Sequence, residues 1–583
     1  ALSSSLACGA AHASRGMPRL PRRLRLTRWP ARVLAAAAIA AVSASAAAFV
    51  GSPADAKSAA RVPHAPGSLA VRQLRASPRR SLAAATSGAS ALAPVLRPVL
   101  WTLGTAFSVA GAGTVGLLGL ILLGQYGPVL KHRKRLPPVD IGVPVLGHTM
   151  NILKNGWSGG GRSWLRHLQA KNGPAYVFNL LFVNRVAVDY PVYEKYMQEL
   201  ERQGKLKPLF SKSMQRLLGK KSVLTLPGGK GGKLHAKVRQ KIAPALTNAQ
   251  LALMVPQVKA MCRLVLEEMA DETAAKGQTA LLPKVDRLTQ DVAAASLLGS
   301  LADPDLPYLG RLRSKIETIV EGLFTIPVEK FFGHLSPFGK AMQAKDEACK
   351  IVDELLELAR SGETPAAGPR KDVLTQLAQS SEDGEALTAE EIHDSVVTMA
   401  FAGKVTAAAV LPVAVTEVAR RPEWAQRIAD DDPDFAKGVE HPKPALQFIR
   451  EAMRLKPPAA AFYRGSDDWI ELGEHGAVPP GMPVAVCMDY PKAGLAGAPD
   501  EFDPERWTEE HARKHFIFFG GTTPHTCPGR GLALLEMQIF MRLLVREYEF
   551  EVLSEETFVD RAITQVKYKD GLPMRVRRRS KAE

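Results

Sequence analysis

The sequence predicts a mainly α protein, a large helical domain with a smaller β-containing portion, set behind an N-terminal transmembrane helix. Three observations carry that prediction. From about residue 140 onward most segments place apolar residues at helical spacing. Strand–helix–strand alternation and internal repeats are both missing, which argues against a parallel sheet or a solenoid. Residues 98–130 carry no charged side chain, over a length that exceeds the ~20 residues a helix needs to cross the hydrocarbon core.

The chain of 583 residues opens with a basic leader. Residues 1–139 hold 18 Lys and Arg against the single acid Asp55, so nearly all of the net charge of +18 precedes the body. A nucleic-acid-binding protein carries its positive charge on the folded domain, so this distribution argues against nucleic acid as a partner. Residues 17–56 resemble a secretory signal segment, with arginines followed by the Ala-rich run 33–56 that ends in Ala-Asp-Ala. Residues 57–97 are rich in Ser, Ala and Arg and lack acids, which is transit-peptide composition. Together the two segments point to a plastid reached through the secretory pathway, in its envelope or thylakoid membrane. The endoplasmic reticulum is the alternative destination, and a low-complexity leader without an address is the alternative reading of 1–97. The span 98–130 reads as a single anchor, with the KHRKR cluster at 131–135 as its cytoplasm-side flank. Residues 131–139 then form a basic, proline-rich tether, continued by LPPVDIGVPVLGH at 136–148, to a catalytic domain over 140–583.

Within the body, 251–272, 351–360, 392–415, 445–455 and 532–548 are helical by apolar spacing, whereas 175–190 and 481–490 read as strands. The five cysteines, at 8, 262, 349, 487 and 527, are scattered and form no CxxC pair, so neither a disulfide framework nor a structural zinc site is indicated. The GGKGGK run at 228–233 lacks the preceding strand and the Lys-Ser/Thr ending of a phosphate cradle.

One cysteine stands apart. HTCPGRGLALLE, residues 525–536, sets Cys527 before a Pro-Gly turn that runs straight into an apolar helix. Upstream, EAMR (451–454) places Glu451 and Arg454 three apart on one helix face, where they can pair. FDPERW (502–507) offers a second arginine, Arg506, to close a Glu-Arg-Arg network. Any one of these is weak; the three in this order within 80 residues are a specific signal. In that arrangement the sequence resembles the cytochrome P450 family over roughly residues 136–575, nearest in style to members that process sterols, retinoids and carotenoids. LHAKVRQKIAPAL (234–246) looks like the family's helix over the haem, AFAGKVTAAA (400–409) like its oxygen-side helix, and FYRGSDD like its strand with a propionate-binding arginine.

The resemblance implies haem b with Cys527 as the axial thiolate, the Pro528-Gly529 turn and the following helix stabilising the sulfur. It makes His235, Arg239, Arg464 and His525 the candidate donors to the haem carboxylates. Thr406 and Gly403 take the places of the oxygen-side residues. It further implies a lipophilic substrate, O2, and electrons that originate from NADPH and arrive through a ferredoxin or an NADPH-dependent reductase. Lys233, Lys237 and Lys241 recur every four residues and form either a docking stripe for such an acidic partner or a solvated face.

Two departures stand out. The loop from Phe519 to Cys527 is one residue longer than the family's, with the extra residue among Gly521, Thr522 and Thr523. Val405 precedes Thr406 where the family has a proton-relaying acid, and His393 and Asp394 are expected to lie too far away to replace it. The leading expectation is a membrane-anchored haem-thiolate monooxygenase acting on an isoprenoid, sterol or carotenoid-like substrate. Reductase-independent chemistry on lipid hydroperoxides is the alternative that Val405 favours, and a non-catalytic haem-binding membrane protein is a third.

Overall fold

The computed structural model describes residues 116–579 apart from short internal stretches, chiefly 150–160, 300–306, 326–332, 362–370, 380–385 and 489–500. The leader 1–97 and most of the span 98–130 lie outside the described residues. Everything described below belongs to one compact unit, Val99–Glu583.

The helices start and stop where local chemistry dictates. Thr247 caps Asn248–Lys276 through the Gln250 amide, and Gly277, at a φ of +79°, ends it. Thr388 and Glu391 form a reciprocal capping box at the head of Ala389–Ala419. These two are long and apolar enough to cross a membrane. Both are core elements instead. Leu266 and Val410 share one buried cluster with Val292 of Leu281–Leu298, Phe448 of Pro444–Leu455 and Phe540 of Arg530–Glu547.

A mixed sheet of six strands borders this helical mass, in the order Val139–Asp140, Ala175–Leu180, Val183–Asp189, Val484–Cys487, Ala461–Gly465, Lys207–Pro208. Val186 pairs with Val484 in parallel and Arg464 with Val484 antiparallel, so the buried valines meet on one surface. A smaller sheet pairs Pro573–Arg578 with Tyr548–Val552 and with Thr279–Ala280. The segment expected as strands at 175–190 is a hairpin, and 481–490 contains one strand.

The expected tether is not one. Val139–Asp140 pairs with Val177–Phe178 as an edge strand, and His148 is buried with Nε2 2.9 Å from the Asp140 carbonyl. Arg135 pairs with Glu471 and lies 3.8 Å over the Trp469 ring, while its carbonyl accepts the Ala477 amide at 2.7 Å. The stretch from Arg135 to His148 is thus joined to the body, because Arg135 and several backbone groups find partners there rather than in water. The preceding helix, 118–132, also docks. Gln125 is fully buried, its amide donates to Asn179 Oδ1 at 3.2 Å, and its carbonyl accepts from Asn184 Nδ2 at 2.5 Å.

Candidate functional site

The helix Arg530–Glu547 begins directly after Gly529, so Cys527 sits at its N-terminal mouth. Its backbone N–H donates to the Phe519 carbonyl at 2.8 Å, closing the loop on itself. Inside the loop, Gly520 and Gly521 have φ of +93° and +58°. A Cβ at Gly521 would lie 2.1 Å from Tyr190 Oη, and Thr526 Oγ1 donates to the Gly521 carbonyl at 2.8 Å. The extra residue is therefore absorbed in a tight turn pressed against the helix Tyr190–Tyr196.

The thiol of Cys527 is solvent-accessible although protein atoms crowd it on every side, as a side chain lining an internal cavity is. Burial pushes its pKa up; the Gly529 N–H and the charges of Arg239 and Arg530 pull the other way. The central helix Ala389–Ala419 has accessible residues of its own. Ala402 and Thr406 are exposed in the middle of a helix whose residues 407–418 are buried. Thr406 Oγ1 donates to the Ala402 carbonyl at 3.2 Å. A Cβ at Gly403 would sit 2.5 Å from Ala293 Cβ, so this glycine permits close helix packing. His393 Nε2 lies 2.6 Å from an Asp353 carboxylate oxygen and Asp394 pairs with Lys345 at 3.1 Å, so both are engaged within the fold.

The four expected carboxylate donors divide into two kinds. His235, on the helix Lys233–Ile242, is buried, its ring centroid 4.6 Å from that of His525, and its Nε2 has no hydrogen-bond partner among the described residues. Burial, helped by neighbouring positive charge, pushes its pKa down to about 4, so the ring is neutral at pH 7. Arg239 donates one bond from Nη1 to the Thr526 carbonyl at 2.5 Å. Arg464 and His525 instead share Glu201, a residue that sequence reasoning missed. Arg464 donates Nε at 2.8 Å and Nη2 at 2.9 Å to this carboxylate, and His525 Nδ1 donates at 2.8 Å. Tyr193 Oη adds a fourth donor at 2.5 Å, and His525 Nε2 is 3.0 Å from the Leu226 carbonyl. Despite complete burial, these partners bring the Glu201 pKa down to about 2.

The Glu-Arg-Arg set is assembled. Glu451 accepts from Arg454 Nε and Nη2 at 2.7 Å each, from Arg506 Nε at 3.2 Å and from the Asp503 amide at 2.9 Å. Trp507 Nε1, also missed in sequence, completes the shell at 2.8 Å. Of the lysine stripe, Lys237 donates to the Ala386 carbonyl at 3.3 Å and Lys241 to that of Gln379, which removes two of three from a free docking face.

An iron porphyrin asks for a soft axial ligand, donors for its two carboxylates and an enclosed lining. A thiol with an amide and two guanidinium charges nearby, an orphaned buried His235 Nε2 and Arg239 meet those needs. Fold and donor set together define a haem-thiolate enzyme. The family model for cytochrome P450 matches residues 137–571, and this chain belongs to that family of oxidoreductases, as a monooxygenase. It is 25% identical over 491 residues to a beta-amyrin 28-monooxygenase from Saponaria officinalis, covering 80% of this chain and 96% of that one. It is 23% identical over 432 residues to abscisic acid 8'-hydroxylase 1 from Arabidopsis thaliana, covering 72% and 86%. A retinoic-acid-bound cyanobacterial P450 has the same fold, with a TM-score of 0.62, 23% identity, and coverage of 76% of this chain and 100% of that one.

Proposed function

We propose that this chain is a membrane-anchored monooxygenase that inserts one oxygen atom from O2 into a lipophilic, isoprenoid-like substrate, using electrons from a ferredoxin or an NADPH-dependent reductase. The observation that carries the reading is Cys527, an accessible thiol at the N-terminal mouth of Arg530–Glu547 with the Gly529 amide and the Arg239 and Arg530 charges beside it. Beta-amyrin and abscisic acid, the substrates named in two relatives, are isoprenoids and support that substrate class. Haem b held by a thiolate supplies the reductive activation of dioxygen. The residues do the rest. Cys527 holds the metal, the Gly529 amide and the helix N-terminus stabilise its negative charge, and His235 and Arg239 offer donors to the haem carboxylates. Thr406 can pass a proton through its hydroxyl, whereas Val405 beside it can neither hold nor deliver one. Residues 98–130 serve as the membrane anchor, with the leader directing the chain to a plastid membrane or, alternatively, to the endoplasmic reticulum.

Val405 favours one second reading, reductase-independent rearrangement or oxygen transfer with lipid hydroperoxides, which needs no proton relay to O2. The test is full-length chain in membranes, assayed with a triterpene or carotenoid substrate. The monooxygenase reading expects product only with NADPH, O2 and a reductase. Product from a lipid hydroperoxide alone, without reductase, transfers the assignment to the second reading.

A further inference from the structure

We propose that a closed ring of three amides, at Gln125, Asn179 and Asn184, joins the anchor helix rigidly to the body and so sets the angle at which the body stands on the bilayer. This rests on the anchor reading above and deepens it. Gln125 is the one side-chain amide in the uncharged stretch 98–130, and it is fully buried. Its Nε2 donates to Asn179 Oδ1 at 3.2 Å, and Asn179 Nδ2 donates to Asn184 Oδ1 at 2.8 Å. Asn184 Nδ2 closes the ring on the Gln125 carbonyl at 2.5 Å. Asn179 and Asn184 face each other across the hairpin, and both are buried, so the ring ties the helix to the sheet.

Around the ring the contact is apolar. Val129, Ile141, Val177 and Val186 share one buried cluster, with Tyr126 packed against it. An apolar face alone would let the helix slide or roll on the sheet at small cost. The amides forbid this, because a shift of one residue, about 1.5 Å along the axis, leaves buried donors and acceptors unpaired. A buried polar residue fixes register between packed helices in the same way. The neighbouring turn adds no slack: a Cβ at Gly147 would lie 2.4 Å from Asn179 Oδ1, and the His148 N–H donates to the Asn179 carbonyl at 2.9 Å. Seven residues beyond Gln125 the helix is held again. His132 meets Trp469 edge to face, with ring centroids 5.1 Å apart, and Arg135 lies over the same ring. Two fixed points about 10 Å apart along one helix define its direction. Its exposed side carries Leu120, Leu123 and Leu130, and the chain upstream is uncharged back to residue 98. A lipophilic substrate dissolved in the bilayer thereby meets one fixed face of the body.

The test uses the full chain, loaded with haem, in oriented stacked bilayers. The EPR spectrum of the ferric haem, recorded as the stack is turned in the field, gives the tilt of the haem to the membrane and the spread of that tilt. Wild type should show one tilt with a narrow spread. Gln125→Leu/Asn184→Ala opens the ring and should broaden the spread toward random orientation. Its CO-complex absorbance, and its retention in the membrane pellet after an alkaline wash, should stay as in wild type. A spread as narrow in this variant as in wild type, or as broad in wild type as in the variant, overturns the proposal. Should the variant misfold and lose its CO-complex absorbance, a Gly-Ser-Gly-Ser segment inserted after Gly116 interrupts the helix upstream of the ring and leaves the body untouched. That chain should also lose its single tilt; keeping it would show that contacts of the body with lipid set the angle, and overturns the proposal. Wild type released by the alkaline wash overturns the anchor reading itself, whereas the spread of tilt in a retained chain bears on the ring alone.

Discussion

Glu451 is fully buried and accepts bonds from both arginines, Trp507 and the Asp503 amide, so its partners cannot be removed singly without exposing charge to the interior. Arg454→Ala should therefore destabilise the fold by about 3–5 kcal/mol, measured as a lower urea midpoint at unchanged slope. Trp507→Phe keeps an aromatic group but loses the indole bond to Glu451 and leaves a cavity, at a cost of about 2–4 kcal/mol. Glu536 is the opposite case. Burial raises its pKa well above the usual 4.5, so the fold prefers the neutral acid. That contribution is complete below pH 4.5 and fades as pH rises toward the folded value. Glu536→Gln should leave the melting temperature unchanged at pH 4 and raise it increasingly at pH 6–8; equal melting at every pH would contradict a raised pKa. At this scale the sequence was informative where chemistry is local: Glu451 and Arg454 sit three apart on one helix. It was silent on Glu201, because Glu201 meets Arg464 and His525 only after the chain has folded.

Asn248–Lys276 was legible as an element because it buries one stripe at helical spacing and ends at Gly277, whereas Ala389–Ala419, buried on every side over 407–418, was legible by the length of its apolar run. The connection at 136–148 was not. Prolines marked it as stiff, but its edge-strand pairing to Val177 and Phe178 depends on partners that spacing does not reveal. The packing role of Gly403 was hidden for a related reason, since a glycine beside a reactive threonine and a glycine at a helix crossing look alike in sequence. Gly403→Val would overpack the contact with Ala293 of Leu281–Leu298 and should cost about 1–3 kcal/mol in a denaturation curve. Gly403→Ala, with the smaller side chain, should cost less, and a fully neutral valine would contradict the crossing.

At the scale of the whole molecule, charge and hydropathy divide the chain into a basic leader, an uncharged span and a near-neutral catalytic body. The end of that span is visible as the helix 118–132, which buries Gln125 and Val129 against the body and exposes Leu120, Leu123 and Leu130. Replacing those three leucines by Ser should leave a chain with residues 98–117 intact in the membrane pellet after an alkaline wash. Deleting 98–117 as well should release it, and full retention of the deletion variant would show that the span is not the anchor. The account as a whole depends on the sulfur of Cys527 holding haem iron. Its most direct test is the absorbance of the reduced CO complex in wild type and Cys527→Ser. Wild type should show the thiolate-ligated band, and the serine variant should lose both that band and turnover while keeping its helical circular dichroism. A serine variant that keeps the band and the activity would contradict the account.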